Sequence, residues 1–206
     1  DCLEKGLFCA VKHKCYRGST VQTLACVIST WIHRVLRTYR KVNFICLTEF
    51  NKEKLLHLKQ IKENNIFVYE SNEAIFADEN VDIIVVATPN DVHEDLVISA
   101  LRSGKNVICE KPVALSTESF DRMVSAAEEA GKILSVHQNR RWDVDFLATK
   151  QVISSGEIGD VIRIESRIHG SRGIPSDWRC EKEPGGGMIL DWGVHLIDQM
   201  LQLIPD

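Results

Sequence analysis

The sequence lacks the features that mark membrane, secreted and zinc-binding proteins. The longest apolar stretch near the start, LACVISTWI, has nine residues, whereas a helix needs about 20 to cross a bilayer. No basic leader precedes an apolar core with a small-residue cleavage site, so we expect no signal peptide. The seven cysteines have no regular spacing and form no C-x-x-C pair, which disfavours a structural zinc site. We expect reduced thiols in a cytoplasmic protein.

Strong charge of one sign is also lacking, and glycine is scarce at the start. The net charge of −4 gives no reason to expect nucleic acid or a membrane as a partner. Residues 1–62 carry +8 and residues 63–206 carry −12, and only Gly6 and Gly18 precede residue 62. We hypothesise that residues 1 to about 48 are atypical because they are translated from a shifted reading frame. Asp at position 1 also suggests a piece of a longer protein.

Strands and helices alternate from residue 80 onward. The apolar runs VDIIVVATP, KNVIC and KILSVH read as buried strands. Between them, apolar residues recur at helical spacing, with Asn90 or Asp91 as the cap of the first helix and Ser116 as the cap of the second. Gly104 and Gly131 can close these helices in the left-handed conformation. The pattern predicts an α/β fold with a doubly wound parallel sheet.

A change of strand type indicates a second domain from about residue 139. A helix is predicted over 143–154, followed by DVIRIESRIHG (160–170), which alternates apolar and polar residues. Such alternation is typical of an antiparallel strand with one face in water. A final helix begins near Leu190. We therefore expect an incomplete α/β domain with an antiparallel sheet.

Polar residues follow the predicted strands, in ATPND, CEKP and VHQNRR. Ligands of open parallel sheets bind beyond the carboxyl ends of the strands. Pro112 stiffens the second of these loops, and Lys111 can offer its ammonium to a substrate oxygen or accept a proton. The alternatives are a solvated surface lysine and, for ATPND, an ordinary turn.

The last predicted helix carries an acid, an imidazole and an acid. Asp191, His195 and Asp198 are spaced i, i+4 and i+7, which places them on one stripe of an α-helix. A carboxylate beside histidine favours the imidazolium and orients the ring. A purely structural histidine is the alternative, and metal binding is disfavoured because no second histidine stands at i+4 and no thiol is near.

Four stretches together resemble the Gfo/Idh/MocA family of NAD(P)-dependent oxidoreductases, which includes glucose–fructose oxidoreductase and inositol dehydrogenase. The stretches are ATPNDVH (87–93), GKNVICEKPVALS (104–116), HQNRRWD (137–143) and GGGMILDWGVHLID (185–198). The resemblance covers about residues 63–206. It implies a dinucleotide-binding Rossmann domain over 1–138 and the start of a truncated substrate and catalytic domain over 139–206.

The resemblance also implies roles for individual residues around a bound NAD or NADP. The expected catalytic residues are Lys111, Asp191 and His195. Trp178 and Arg179 are expected to contact substrate. The expected cofactor-binding residues are Thr88, Pro89, Asn90, His93, Glu110, Lys111 and Asn139.

The implied reaction is hydride transfer between NAD(P) and a hydroxyl or carbonyl carbon of a sugar, cyclitol or related polyol. His195 would take the hydroxyl proton, Lys111 would stabilise the charge that develops on the oxygen, and Asp191 would orient His195. The roles of Lys111 and His195 can be exchanged. A non-catalytic nucleotide-binding regulator and an inactive gene fragment are the alternatives. We expect a homo-oligomer in the full-length form.

The sequence departs from the family pattern at its start. The family opens with a strand and a G-x-G-x-x-G turn that brings a helix N-terminus to the pyrophosphate. Residues 15–30 read CYRGSTVQTLACVIST instead. KVNFICLTEF reads as the second strand, with Glu49 as the candidate acid for the ribose hydroxyls.

Overall fold

The structure, a computed structural model, describes residues 8–13, 42–48, 67–69, 71–169 and 178–204. The chain divides into two compact units, 1–136 and 137–206, here called the N-terminal and C-terminal units. The predicted domain ranges 1–138 and 139–206 remain predictions. Glu49 and the 15–30 stretch lie outside the described residues, as does most of the segment in the reading-frame hypothesis.

Six strands form one sheet in the order β3-β2-β1-β4-β5-β6, which is the order of a doubly wound dinucleotide-binding sheet. β2 pairs with β3 and β4 pairs with β5 in parallel, as predicted, but β1 is antiparallel to both β2 and β4. The parallel arrangement was inferred from the strand–helix alternation after residue 80, and residues 1–40 have no such alternation. The strands are β1 Phe8–His13, β2 Val42–Thr48, β3 Phe67–Val68, β4 Ile83–Val86, β5 Asn106–Glu110 and β6 Leu134–His137.

Among the described residues, three helices belong to the N-terminal unit: α1 (Asn72–Ala77), α2 (His93–Arg102) and α3 (Thr117–Ala130). Ser116 caps α3 as predicted, because its side chain accepts a hydrogen bond from the Ser119 amide. The predicted cap of α2 is wrong. Asn90 and Asp91 instead form a 3₁₀ turn, Asn90–Val92, and no side chain caps the helix.

Glycine followed by lysine ends both α2 and α3 in the same way. Gly104 and Gly131 have φ angles of 85° and 60°, the left-handed conformation that favours glycine. The amide of the next lysine, Lys105 or Lys132, then donates back to a helix carbonyl. The Lys105 side chain is itself buried and donates to the carbonyl of Asp78 at 2.7 Å.

The core of the N-terminal unit lies between the sheet and its helices. Ile84 and Val86 of β4 pack with Leu96 and Leu101 of α2 and with Met123 of α3, and all five are at most 1% exposed. The predicted stripe of α2 is buried at Leu96, Val97, Ala100 and Leu101. That of α3 is buried at Met123 and Ala127 and partly buried at Phe120 and Val124. Burial of these stripes holds the carboxyl ends of β4 and β5 in place.

The C-terminal unit contains α4 (Val144–Ser155), a π-helical stretch (Ile189–Gly193) and α5 (Val194–Leu203). α4 follows the prediction closely and ends at Gly156, which has a φ of 75°. The predicted antiparallel strand over 160–170 does not form: residues 161–169 have no regular secondary structure. A strand needs a partner for its ladder of hydrogen bonds, and no described segment pairs with this one, so Ile162 is 97% exposed.

No helix among the described residues is long and apolar enough to cross a membrane. No group of three or more histidine, cysteine, aspartate or glutamate side chains among them could hold a metal ion.

Candidate functional site

The turn after β4 brings together three predicted cofactor-binding residues, Thr88, Pro89 and Asn90. Thr88 and Asn90 are buried. The Thr88 hydroxyl donates to the carbonyl of Pro89 at 3.2 Å, and the Val92 amide donates to the same oxygen at 3.3 Å. The turn is therefore held by its own hydrogen bonds. It lies just beyond the carboxyl end of β4, where ligands of such sheets bind.

His93, the first residue of α2, bridges this turn to the loop after β5. Its ring is fully buried, with Nδ1 2.9 Å from the carbonyl oxygen of Pro112 and Nε2 3.1 Å from that of Thr88. Burial lowers the pKa of His93, because desolvation outweighs the carbonyls and the charge of Glu110. The ring is thus neutral at pH 7. Both ring nitrogens face backbone oxygens, and nothing in the structure tests a contact between His93 and a cofactor. The predicted contact therefore stays a prediction.

The loop after β5 presents Glu110 and Lys111. β5 ends at Glu110, both side chains are partly exposed, and the Lys111–Pro112 peptide bond is cis. Cys109 just before them is fully buried, and burial raises the pKa of its thiol. Cys109 therefore stays protonated and is not a candidate nucleophile, so Glu110 and Lys111 are the candidate reactive groups at this strand end.

The C-terminal unit opens with unsatisfied polar groups. Asn139 begins a 3₁₀ turn, Asn139–Trp142. The side-chain oxygens of Gln138 and Asn139 are buried and have no hydrogen-bond partner among the described residues. Buried polar atoms are nearly always satisfied, so these two oxygens mark a place where a ligand or water would complete the bonding.

The motif HQNRRWD docks onto the helix that carries His195. The Arg140 guanidinium lies 4.3 Å from the ring centroid of Trp192, a cation–π contact. The Trp192 ring in turn meets the His195 ring edge to face, with centroids 6.0 Å apart. Arg141 forms a bidentate pair with Asp198, with nitrogen–oxygen distances of 2.9 and 2.5 Å. Two motifs that are far apart in sequence therefore form one cluster.

These contacts change the predicted row of acid, imidazole and acid. The Asp198 carboxylate forms an ion pair with Arg141, which belongs to a different motif. Asp191 lies in the π-helical stretch, where the turn is wider than the α-helical spacing assumed for the row. Its Oδ1 lies 3.9 Å from Nε of Arg179. His195 is buried, only 5% exposed.

A glycine-rich segment supports the Arg179 end of this arrangement. The amide of Gly187 donates to the carbonyl of Arg179, and that of Gly186 donates to the carbonyl of Glu181. A Cβ at Gly186 would lie 2.4 Å from each of those carbonyl oxygens. Only glycine fits there, and its close approach holds the backbone of Arg179 in place.

The structure thus gathers the predicted residues into two groups, one in each unit. The N-terminal group is linked through His93, and in the C-terminal group Arg179 pairs with Asp191. The backbone of Trp178 lies in a 3₁₀ turn, Trp178–Cys180. Sequence reasoning missed Arg140, Arg141 and Trp192, although the adjacent arginines and the tryptophan beside Asp191 were visible in the motifs.

In each unit, taken by itself, the residues present include polar groups of the kind that the polar end of a nicotinamide cofactor can bind. Its ribose hydroxyls and carboxamide offer hydrogen-bond donors, and the buried Asn139 oxygen is an acceptor without a partner among the described residues. Lys111 and Glu110 supply a cation and an acceptor at the carboxyl end of β5. Residues 15–30, where the family's glycine-rich turn is expected and is missing from the sequence, lie outside the described residues.

Comparison with known proteins agrees with this geometry. Residues 27–138 match the family model of the Gfo/Idh/MocA oxidoreductases, described as an oxidoreductase family with an NAD-binding Rossmann fold. Residues 146–206 match the model of the C-terminal domain of the same family. The match begins at residue 27, well before the start near residue 63 that the motifs indicate. The predicted cofactor class, NAD or NADP, is confirmed at the level of the family.

Individual relatives and solved structures are similar over part of their length. An uncharacterized oxidoreductase of Schizosaccharomyces pombe is 42% identical over 141 residues, which is 68% of this chain and 38% of the relative. The scyllo-inositol 2-dehydrogenase (NADP⁺) of Bacillus subtilis is 35% identical over 132 residues, 64% of this chain and 37% of the relative. The crystal structure of an NAD-binding protein from Listeria innocua has a TM-score of 0.71 and 48% identity, over 76% of this chain and 46% of that one.

The matched part is thus about two fifths of the length of these curated relatives. The family model alone covers more than half of the chain, and the strand order and the polar strand ends are those of a dinucleotide-binding sheet. This chain therefore belongs to the Gfo/Idh/MocA family of oxidoreductases.

Proposed function

We propose that the protein transfers a hydride between NAD(P) and a hydroxyl or carbonyl carbon of a cyclitol, sugar or related polyol. The observation that carries the proposal is Lys111, which follows β5 at the carboxyl edge of a sheet with Rossmann strand order. The name of the Bacillus subtilis relative, a scyllo-inositol 2-dehydrogenase, supports a cyclitol as the first substrate to test.

The residues of this chain would handle the proton and the substrate oxygen. NAD(P), when bound, supplies the hydride chemistry at its nicotinamide ring. Lys111 and His195 are the two candidates for the group that removes the hydroxyl proton and the group that stabilises the oxygen. Asp191, paired with Arg179 at 3.9 Å, is a carboxylate suited to bind a hydroxyl or to orient an imidazole.

The proposal is tested by turnover of a polyol panel with NAD and with NADP, followed at the absorbance of the reduced nicotinamide. Replacing Lys111 with Met removes the cation and keeps most of the side-chain volume. We expect the rate to fall by about 10²–10⁴-fold, with cofactor affinity within about threefold by fluorescence titration. Lys132→Met is the matched control, a partly exposed lysine of the same unit, and should turn over like the original protein.

The outcomes separate the candidate functions. Turnover that survives Lys111→Met contradicts the assignment of Lys111. Cofactor binding without turnover of any polyol would favour the nucleotide-binding regulator. Absence of cofactor binding would favour the inactive fragment.

A further inference from the structure

The His93 ring has a backbone carbonyl oxygen within hydrogen-bonding distance of each of its two nitrogens. The fully buried ring lies between the carbonyl oxygens of Thr88 and Pro112. A neutral imidazole has one N–H donor, so only one of these oxygens can accept a hydrogen bond from it. Because burial lowers the pKa of His93, this single-donor form is the one present at neutral pH.

Both contacts are short enough for an N–H···O hydrogen bond. Nδ1 lies 2.9 Å from the Pro112 oxygen and Nε2 lies 3.1 Å from the Thr88 oxygen. The tautomer decides which of the two is the bond, and we take the shorter one, donated by Nδ1 to Pro112. The remaining lone pair on Nε2 then faces the Thr88 oxygen without a hydrogen between them.

This bond anchors the loop on the far side of Lys111. On the near side, Cys109 pairs with Val86 in the β4–β5 ladder. Pro112 has no N–H group, so its carbonyl is the only backbone hydrogen-bonding group it offers. Lys111 therefore lies between two fixed points, the end of a strand and a carbonyl held by a buried imidazole.

We propose that the Nδ1–H of His93 holds the Pro112 carbonyl and thereby fixes the direction of Lys111. His93 is then a positioning residue, not a group that touches cofactor or substrate. Its importance for turnover rests on the function proposed above, whereas its effect on the loop does not.

Two amide side chains of different length, Asn and Gln, placed at position 93 distinguish this positioning role from a purely packing role of the His93 ring. The side-chain nitrogen of Asn can occupy the place of Nδ1 and keep the bond to Pro112, whereas that of Gln corresponds to Nε2 and loses it. Lys105→Met is the control. It removes a different buried side-chain bond to a backbone carbonyl, from Lys105 to Asp78 at 2.7 Å, at the opposite end of β5.

Hydrogen exchange of the peptide 109–116, measured by mass spectrometry on the full chain, tests the loop without any turnover. We expect faster exchange in His93→Gln, exchange near that of the original protein in His93→Asn, and no change in this peptide in Lys105→Met. Equal exchange in the two His93 variants, or an equal effect of Lys105→Met, would overturn the proposal.

Kinetics test the consequence for Lys111. His93→Gln should lower kcat by about 10- to 100-fold, the loss typical of a misplaced catalytic group, with KM and cofactor affinity within about threefold. His93→Asn should restore most of kcat. If the original protein turns over no polyol, the proposed function fails and the exchange data alone decide on His93. If it does turn over and His93→Gln is equally fast, the positioning role fails alone.

A measurement on the original protein decides if neither variant folds. The ¹⁵N shifts of the His93 ring distinguish a proton on Nδ1 from one on Nε2. A neutral ring protonated at Nδ1 supports the proposal, and a proton on Nε2 contradicts it.

Discussion

The two units hold their family motifs in different ways. Every described apolar side chain that is buried, with the exception of Phe146, lies in the N-terminal unit. In the C-terminal unit, the motif around Arg140 and the helix of His195 are joined by charged and aromatic side chains. Val144, Ile189 and Leu201 are at least 69% exposed there.

This difference teaches which forces position each group of candidate residues. In the N-terminal unit, apolar burial fixes the strand ends, and the turns are then tied by hydrogen bonds to backbone carbonyls. In the C-terminal unit, the arrangement depends on partly exposed ion pairs, which are individually weak and sensitive to salt. We therefore expect the two groups to respond differently to mutation and to solution conditions.

The largest expected contrast is between two leucines truncated to alanine. Leu96→Ala removes a side chain that is 1% exposed in the N-terminal core and should cost about 2–5 kcal/mol of unfolding free energy. Leu201→Ala, at a position 69% exposed in α5, should change it by less than about 0.5 kcal/mol. Denaturant unfolding measures the change in unfolding free energy of both variants. Equal changes would contradict the difference between the two units.

A second contrast uses two glycines within the C-terminal unit. Gly186→Ala places a Cβ 2.4 Å from two backbone oxygens and should cost about 1–3 kcal/mol. Gly193 lies in a helical stretch with φ −58°, and a Cβ there would meet the Ile189 side chain at 3.4 Å and the Met188 carbonyl oxygen at 3.7 Å, which are ordinary contact distances. Gly193→Ala should stabilise the protein by about 0.5–1 kcal/mol. Thermal unfolding of both variants checks the signs, and a neutral Gly186→Ala would contradict the close approach.

The ion pair between Arg141 and Asp198 should contribute less. Asp198 is only 13% exposed in its side chain, so a double-mutant cycle with alanine at both positions should give a coupling of about 1 kcal/mol that falls with added salt. The pair of Arg163 and Glu165, at 79% and 46% exposure, is the control and should give a coupling near zero. Equal couplings would mean that Arg141 does not fix the helix.

The smallest expected effect concerns pH. The pKa of His93 is lowered from its ordinary value of 6.5 by burial, against the opposing influence of Glu110 and of the carbonyls of Thr88, Pro112 and Val113. Below about pH 6.5 the unfolded chain binds a proton that the folded ring resists, so stability falls as pH falls. The free energy of unfolding should decrease from about pH 7.5 to about pH 5.5, and His93→Asn should reduce that decrease. An unchanged pH dependence in the variant would show that His93 does not titrate this way.

Much of the N-terminal unit could be predicted from the sequence. The apolar stripes and the capping residues Ser116, Gly104 and Gly131 are local signals, and local signals fixed the helices from 93 to 130. The direction of β1 and the missing strand over 160–170 were not predictable in the same way. Strand pairing depends on a partner that is distant in sequence, and the alternating pattern alone does not supply one.

The candidate site was predictable as a set of residues and less so as a geometry. Spacing placed Asp191 and Asp198 on a common stripe with His195, but it assumed a regular α-helix. The π-helical stretch and the charge of Arg141 override that assumption. The bridging role of His93 could not be predicted either, because the type of a residue does not show whether its side chain hydrogen-bonds to a backbone carbonyl.

The π-helical stretch from Ile189 to Gly193 holds one more residue than an α-helical turn would. A π-helical stretch takes up an extra residue as a bulge, so removal of a single residue there would restore regular α-helical winding with little rotation of His195 around the helix axis. Removal of a further residue would rotate His195 by about 100° relative to the glycine-rich segment. The length of the chain ahead of this histidine is therefore limited to values that keep its direction, whatever side chains fill it.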